Sequence, residues 1–167
     1  MPTIDKDLEQ QKISGLTQDG KYLTFALGKE EYGLEILQVR EIIGLMQITA
    51  VPNLPPYIKG VINLRGKIIS VIDLRLKFSM PEKEYTNETC IIVLNVGDIL
   101  MGIIVDNVCE VLNISQEDIE PAPNFGTNIR TDFIIGMGKS GQNVKTLLNI
   151  DKVLTENDLQ TLEKQQG

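Results

Sequence analysis

One stretch of this chain occurs twice. The segment from Gly28 to Ile43 aligns with Gly97 to Leu112 at a constant offset of 69 positions, without a gap. Both copies carry a glycine, a second glycine five positions on (Gly33, Gly102), then an aliphatic residue, a valine (Val39, Val108), a glutamate (Glu41, Glu110) and two aliphatics. An apolar run precedes each copy, Tyr22–Leu27 in one and Ile91–Val96 in the other. A weaker echo follows. Tyr57-Ile58-Lys59-Gly60 resembles Phe133-Ile134-Ile135-Gly136, and Val71-Ile72-Asp73 resembles Asn149-Ile150-Asp151, so the offset moves from 76 to 78 and reads as a two-residue insertion. A duplicated sequence constrains the fold to two similar units whose faces cover one another.

The units are β-rich. Apolar residues come in short runs rich in Ile and Val, namely Tyr22–Leu27, Ile58–Leu64, Lys67–Ile72, Cys90–Val96, Leu100–Val105 and Asn143–Ile150, broken by Gly, Asn, Asp and Pro too often for ordinary helices. Each half should supply about five strands, enough to curl into a small barrel, with a seam between the two barrels. Ile36, Val39 and Ile43 are spaced as on a helix, but the second copy has Asp106-Asn107 where the first has Leu37-Gln38, so a tight turn between two strands fits both.

Two places depart from strand. Asp73 can cap a short helix that buries Leu74 and Phe78, and Thr155-Glu156-Asn157-Asp158 reads as the start of a C-terminal amphipathic helix carrying Leu159 and Leu162. The first twenty residues are polar and aperiodic. The expected organisation is a tail over residues 1–20, two intertwined barrels over about 21–88 and 89–154, and a helix and tail over 155–167.

Charge and composition exclude several functions. With a net charge of −7, the chain repels phosphate backbones, and no basic patch stands out to overcome this. Few aromatics are present on which nucleic-acid bases could stack. There is no histidine, which removes the usual general base near neutral pH, the commonest metal ligand and any histidine phosphoacceptor. Cys90 and Cys109 lie in apolar runs without ligand spacing and read as reduced, buried packing residues. No stretch is apolar enough to span a bilayer and the N-terminus does not resemble a secretory signal, so a cytoplasmic location is expected.

No catalytic constellation emerges. Gly28, Gly33, Gly97 and Gly102 lead into strands and read as hairpin positions, whereas a phosphate loop would lead into a helix. Glu30-Glu31 and Glu117-Asp118 read as surface charge, and Ser70, Ser79 and Ser115 have no base beside them. The expectation is a protein without catalytic residues, cofactor or metal.

The run Gly60-Val61-Ile62-Asn63-Leu64-Arg65-Gly66, followed by an aliphatic strand ending in Asp73-Leu74, reads as a hairpin with Arg65-Gly66 at its tip. Gly66 permits a left-handed turn, and Arg65 projects into solvent or against a neighbouring surface. This run resembles the hairpin of the CheW-like domain family. Similar to the family as well are the opening block Gly28…Tyr32-Gly33-Leu34-Glu35-Ile36…Val39…Glu41-Ile42, the block Pro52…Pro55-Pro56-Tyr57-Ile58-Lys59-Gly60, and Gly102–Asp106 with Pro121-Ala122-Pro123. The likeness runs from Tyr22 to the end. It implies two packed SH3-like barrels that together make an all-β fold, and an adaptor that binds the regulatory domain of the histidine kinase CheA and the cytoplasmic tip of methyl-accepting chemoreceptors. The short chain, without receiver or kinase segments, fits a free-standing member.

By the same resemblance, the partner-binding residues are Arg65, Asn63, Leu64, Gly66, Val39, Glu41 and Gly60, with Gly60 allowing close approach of a backbone. Bland readings stand beside these roles. Arg65 can be a solvated turn residue, Val39 can fill a barrel core as Val108 does, and Glu41 and Glu110 can both cap a turn. The rival function is an enzyme or small-ligand protein with its site in the seam between the barrels.

Overall fold

The computed structural model describes residues 20–123, 132–154 and 158. Eleven strands run in chain order: β1 (Lys21–Leu27), β2 (Glu30–Glu35), β3 (Val39–Gly44), β4 (Ile58–Leu64), β5 (Lys67–Asp73), β6 (Cys90–Val96), β7 (Ile99–Val105), β8 (Asn107–Asn113), β9 (Ile119–Glu120), β10 (Ile134–Ser140) and β11 (Asn143–Leu148). Two one-turn helices, α1 (Leu74–Lys77) and α2 (Ile150–Val153), follow β5 and β11. The all-β expectation holds. Apart from Gly20 and Asp158, the predicted N-terminal tail and C-terminal helix lie outside the described residues. Gly20, assigned by sequence to the tail, is buried, and its carbonyl accepts from Ile114 N–H at 2.8 Å.

The strands form two sheets, β3-β6-β7-β5-β4 and β8-β1-β2-β11-β10-β9. Each sheet draws strands from both repeats. The first repeat's hairpin β1–β2 sits between β8 and β11 of the second, and the second repeat's hairpin β6–β7 sits between β3 and β5 of the first. Two parallel contacts seal the exchange, β2 against β11 and β5 against β7.

The registers correct one reading of the repeat. The pairs Ile58↔Ile72 through Leu64↔Lys67, with a bulge before Gly60, recur as Ile134↔Leu148 through Ser140↔Asn143, with a bulge before Gly136. Asp73 N–H donates to Tyr57 carbonyl at 2.7 Å, and Asn149 N–H donates to Phe133 carbonyl at 2.7 Å. The helix caps match as well: Asp73 accepts from Leu76 N–H and Asn149 from Asp151 N–H. The counterpart of Asp73 is therefore Asn149. The second block keeps a constant offset of 76 (Gly60 to Gly136), and the extra residues fall between β8 and β10.

The core follows from alternation along each strand. Leu23, Phe25 and Leu27 of β1 and Ile92, Leu94 and Val96 of β6 meet in a common core that also takes Leu74, Ile150 and Val153 from the two helices. The opposite face of each sheet lines a core of its own. Ile62, Ile69, Val71, Ile91, Val93 and Ile104 cluster in the five-stranded sheet, and Tyr22, Ile114 and Leu147 in the six-stranded one.

Three glutamate, glycine and cysteine readings change. Gly28 and Gly97 occupy turns with positive φ, but Gly33 and Gly102 lie inside strands, where an added Cβ would come within 2.8 Å of Leu147 and 2.6 Å of Ile91. Glu31 is more than surface charge, because it pairs with buried Lys145 at 2.7 Å. Cys90 is half-buried, whereas Cys109 is exposed, since it lies on β8 at the edge of its sheet; both thiols are free.

Candidate functional site

The hairpin β4–β5 closes through two residues, Arg65 and Gly66. Both have positive φ, 50° and 89°, the combination a two-residue turn needs to match the twist of its strands. Glycine adopts this region without strain, but for arginine it costs roughly 1 kcal/mol. Asn63 holds the turn by accepting from Gly66 N–H through Oδ1 at 2.8 Å. Leu64, paired with Lys67 beside the turn, packs against the core of the five-stranded sheet and so anchors the tip.

Arg65 is exposed, and its Nη2 is ion-paired with Glu41 Oε2. Glu41 lies on β3, at the opposite edge of the sheet from β4. The pair therefore bridges the two edges at the hairpin tip, where the sheet curls toward a barrel. Neither Glu41 nor Glu110 caps a turn, because each sits within a strand, β3 or β8.

Val39 is half-buried at the start of β3, pairs with Leu94 and packs on the common core, and a bulge separates it from Glu41. Gly60 has φ of +139°, and an added Cβ would run into the carbonyl of Thr49. That close approach is used inside the chain. Thr49 and Val61 exchange both backbone hydrogen bonds, at 2.8 and 2.9 Å, and so cover the edge of β4. Arg65, Asn63, Leu64, Gly66 and Glu41 thus come together at one tip. Val39 stands further along β3, and Gly60 lies deeper in the hairpin.

Sequence reasoning missed the apolar residues on the outer faces of the same strands. Ile42 follows Glu41 and is 44% exposed; Ile68, paired with Asn63, is also 44% exposed. Their counterparts in the other sheet, Val111 and Val144, are exposed too. The signal was available as apolar residues at outward positions of alternating strands.

The seam is held by charged groups that the sequence reading did not pair. Asp106, at the β7–β8 corner, accepts from Arg75 Nε at 2.7 Å and Nη2 at 2.8 Å, and from Gly28 N–H at 2.7 Å. Burial raises the Asp106 carboxyl pKa, but the hydrogen bonds from Arg75 and Gly28, with the charges of Arg75 and Lys83, outweigh that and hold it below the ordinary value. Nearby, Lys77 Nζ bonds buried Asp158 at 2.7 Å and lies 4.3 Å over the Tyr57 ring, while Tyr57 OH also donates to Asp158. A cleft of about 520 Å³ opens on the seam, lined by Tyr32, Phe78, Phe133 and Val153 among others. No group of three side chains able to hold a metal occurs among the described residues.

Comparison with known proteins adds a family. The CheW-like domain matches residues 21–158. The chain is 43% identical to the chemotaxis protein CheW of Klebsiella aerogenes over 148 residues, covering 89% of both chains. It is 35% identical to the chemotaxis protein CheW of Treponema pallidum, over 93% of this chain and 95% of that one. The crystal structure of the scaffolding protein TtCheW from Thermoanaerobacter tengcongensis superposes with a TM-score of 0.76 at 36% identity, covering 84% of this chain and 95% of that one.

Proposed function

The chain belongs to the CheW-like domain family, and on that premise we propose that it couples chemoreceptors to the histidine kinase CheA. Its role is that of a chemotaxis scaffold. Its partners are the regulatory domain of CheA and the cytoplasmic tip of methyl-accepting chemoreceptors. It works in the cytoplasm at receptor arrays, without entering the bilayer or binding nucleic acid, and catalyses nothing itself. Holding kinase and receptor in one assembly raises their effective concentration and lets a change in receptor conformation bias the kinase.

The observation that supports this reading is the conformation of Arg65. A strained backbone position persists where its surroundings and its use favour it, and the residue in the left-handed region here is a cation at the tip of a rigid turn beside an acid. Asn63, Leu64 and Gly66 fix the tip. Glu41 aims the guanidinium, which can still reach a partner carboxylate because its side chain is 68% exposed. Val39 and Gly60 support the strands that carry the contact surface.

Calorimetry against the kinase regulatory domain and a receptor tip from the same organism tests the proposal. Both should bind, and Arg65→Ala should weaken the receptor interaction about tenfold, on the order of 1.4 kcal/mol. Unchanged binding of both partners would remove Arg65 from the interface. The domain organisation carries its own expectation. Residues 21–88 or 89–154 expressed alone should not fold, because each sheet needs a hairpin from the other repeat.

A further inference from the structure

Matched registers let the interiors of the two barrels be compared position by position. The core of the five-stranded sheet holds Ile62, Ile69, Val93 and Ile104, with Leu100 packed against it. At the corresponding positions the six-stranded sheet has Gly138, Lys145, Thr24, Glu35 and Glu31. One interior is a continuous aliphatic cluster; the other retains Tyr22, Ile114 and Leu147 as its buried apolar residues.

Lys145 is 4% exposed, and its Nζ donates to Glu31 Oε2 at 2.7 Å. The pair spans β2 and β11, the parallel junction where the first repeat's hairpin enters the second repeat's sheet. On β8, the Cys109 thiol has its pKa pushed up to about 11, by burial first and then by Glu31 and Glu110. From β1 the neighbours are Thr24 and Ala26, and from β10 Gly138 faces Lys145, none of them charged. Glu31 is thus the carboxylate that balances Lys145 among the described residues. A buried ammonium deprived of its counter-ion is driven back toward water, and the strand carrying it follows.

We propose that the six-stranded sheet is a separately opening unit of this fold, gated by the Glu31–Lys145 pair at the β2–β11 junction, while the five-stranded sheet stays closed. Opening frees β9–β11 from the exchanged hairpin. The gate is proton-linked. The hydrogen bond from Lys145 holds the Glu31 carboxyl below its ordinary 4.5, so the closing contribution is present above that value and is lost as pH falls through the folded one.

Hydrogen–deuterium exchange of the whole chain, read by mass spectrometry, tests this. Amides of β10–β11 should exchange at least about tenfold faster than those of β4–β5, and the gap, corrected for intrinsic rates, should widen from about pH 6 to about pH 4. The double variant Glu31→Leu/Lys145→Ile installs the residues of the other barrel. It should slow β10–β11 about tenfold, leave β4–β5 unchanged and abolish the pH dependence. Equal exchange of the two hairpins in the natural protein, or equal slowing of both in the variant, overturns the proposal. Should the double variant fail to fold, Glu31→Gln serves instead: faster exchange confined to the six-stranded sheet supports the gate, and uniform acceleration refutes it.

Discussion

The hairpins β4–β5 and β10–β11 share their pairing, their bulge and their closing hydrogen bond, yet they end differently. At the position occupied by Arg65, with φ of 50°, the second hairpin has Gly141, with φ of 61°. The corners differ in the same manner. Asp106 is clamped by Arg75 and Gly28, while its counterpart Leu37 is 58% exposed. One scaffold has been built twice, so what both copies keep is what the fold requires. What only one copy carries must be explained by its own surroundings or by function.

The largest effect should come from a feature both hairpins need. Gly60→Ala places a methyl against the Thr49 carbonyl at a φ that L-residues avoid, and should remove about 3 kcal/mol or more of folding free energy in urea titrations followed by circular dichroism. Gly136→Ala is its control. There the added Cβ meets Ile119 at 2.6 Å and the Glu120 carbonyl at 2.8 Å, both on the two-residue edge strand β9, which can give way. A loss of about half that size is expected. Equal losses would mean that the left-handed backbone at Gly60 does not set its sensitivity.

The corners should separate next. Asp106→Ala leaves Arg75 without its carboxylate and should cost about 3 kcal/mol, whereas Leu37→Asp at the open counterpart should stay within about 0.5 kcal/mol. The pH dependence sharpens this. Because the Asp106 carboxyl is held below its ordinary 3.8, its contribution is complete above that value and disappears as pH falls through the folded one. The natural protein should therefore lose stability in acid more steeply than Asp106→Ala; parallel acid profiles would mean that Asp106 does not contribute through its charge.

The contrast also explains what could be read beforehand. The duplication was legible because paired glycines, valine and glutamate recur at fixed spacing, and the strands because Ile and Val alternate or run together between turn residues. The displaced counterpart of Asp73 was a match of letters: Asp151 repeats the aspartate, but Asn149 performs the capping. Which repeat's strands pair with which was hidden, since a parallel contact such as β2 with β11 joins residues more than a hundred positions apart and leaves no local pattern. The Glu31–Lys145 pair was hidden for the same reason. At the candidate site, the Arg65-Gly66 tip was visible as turn chemistry. The ion pair to Glu41 was not, because it depends on the sheet curling until its edges meet.

The smallest expected change in stability is the most informative about the tip. Gly141→Arg imposes on the second hairpin the strain that the first already carries, and should cost about 1 kcal/mol. Arg65→Gly relieves that strain, but it loosens the unfolded chain by roughly 0.5–1 kcal/mol and removes an exposed ion pair worth little in water. These terms offset, so its unfolding midpoint should move by less than about 0.5 kcal/mol in free energy. If that near-neutral variant binds the receptor tip about tenfold more weakly, the guanidinium is kept for recognition and the turn alone is enough for folding. If it is instead destabilised by about 2 kcal/mol with binding intact, the Arg65–Glu41 pair is a structural clasp across the barrel's open edges, and the contrast between the two tips reflects how each barrel closes.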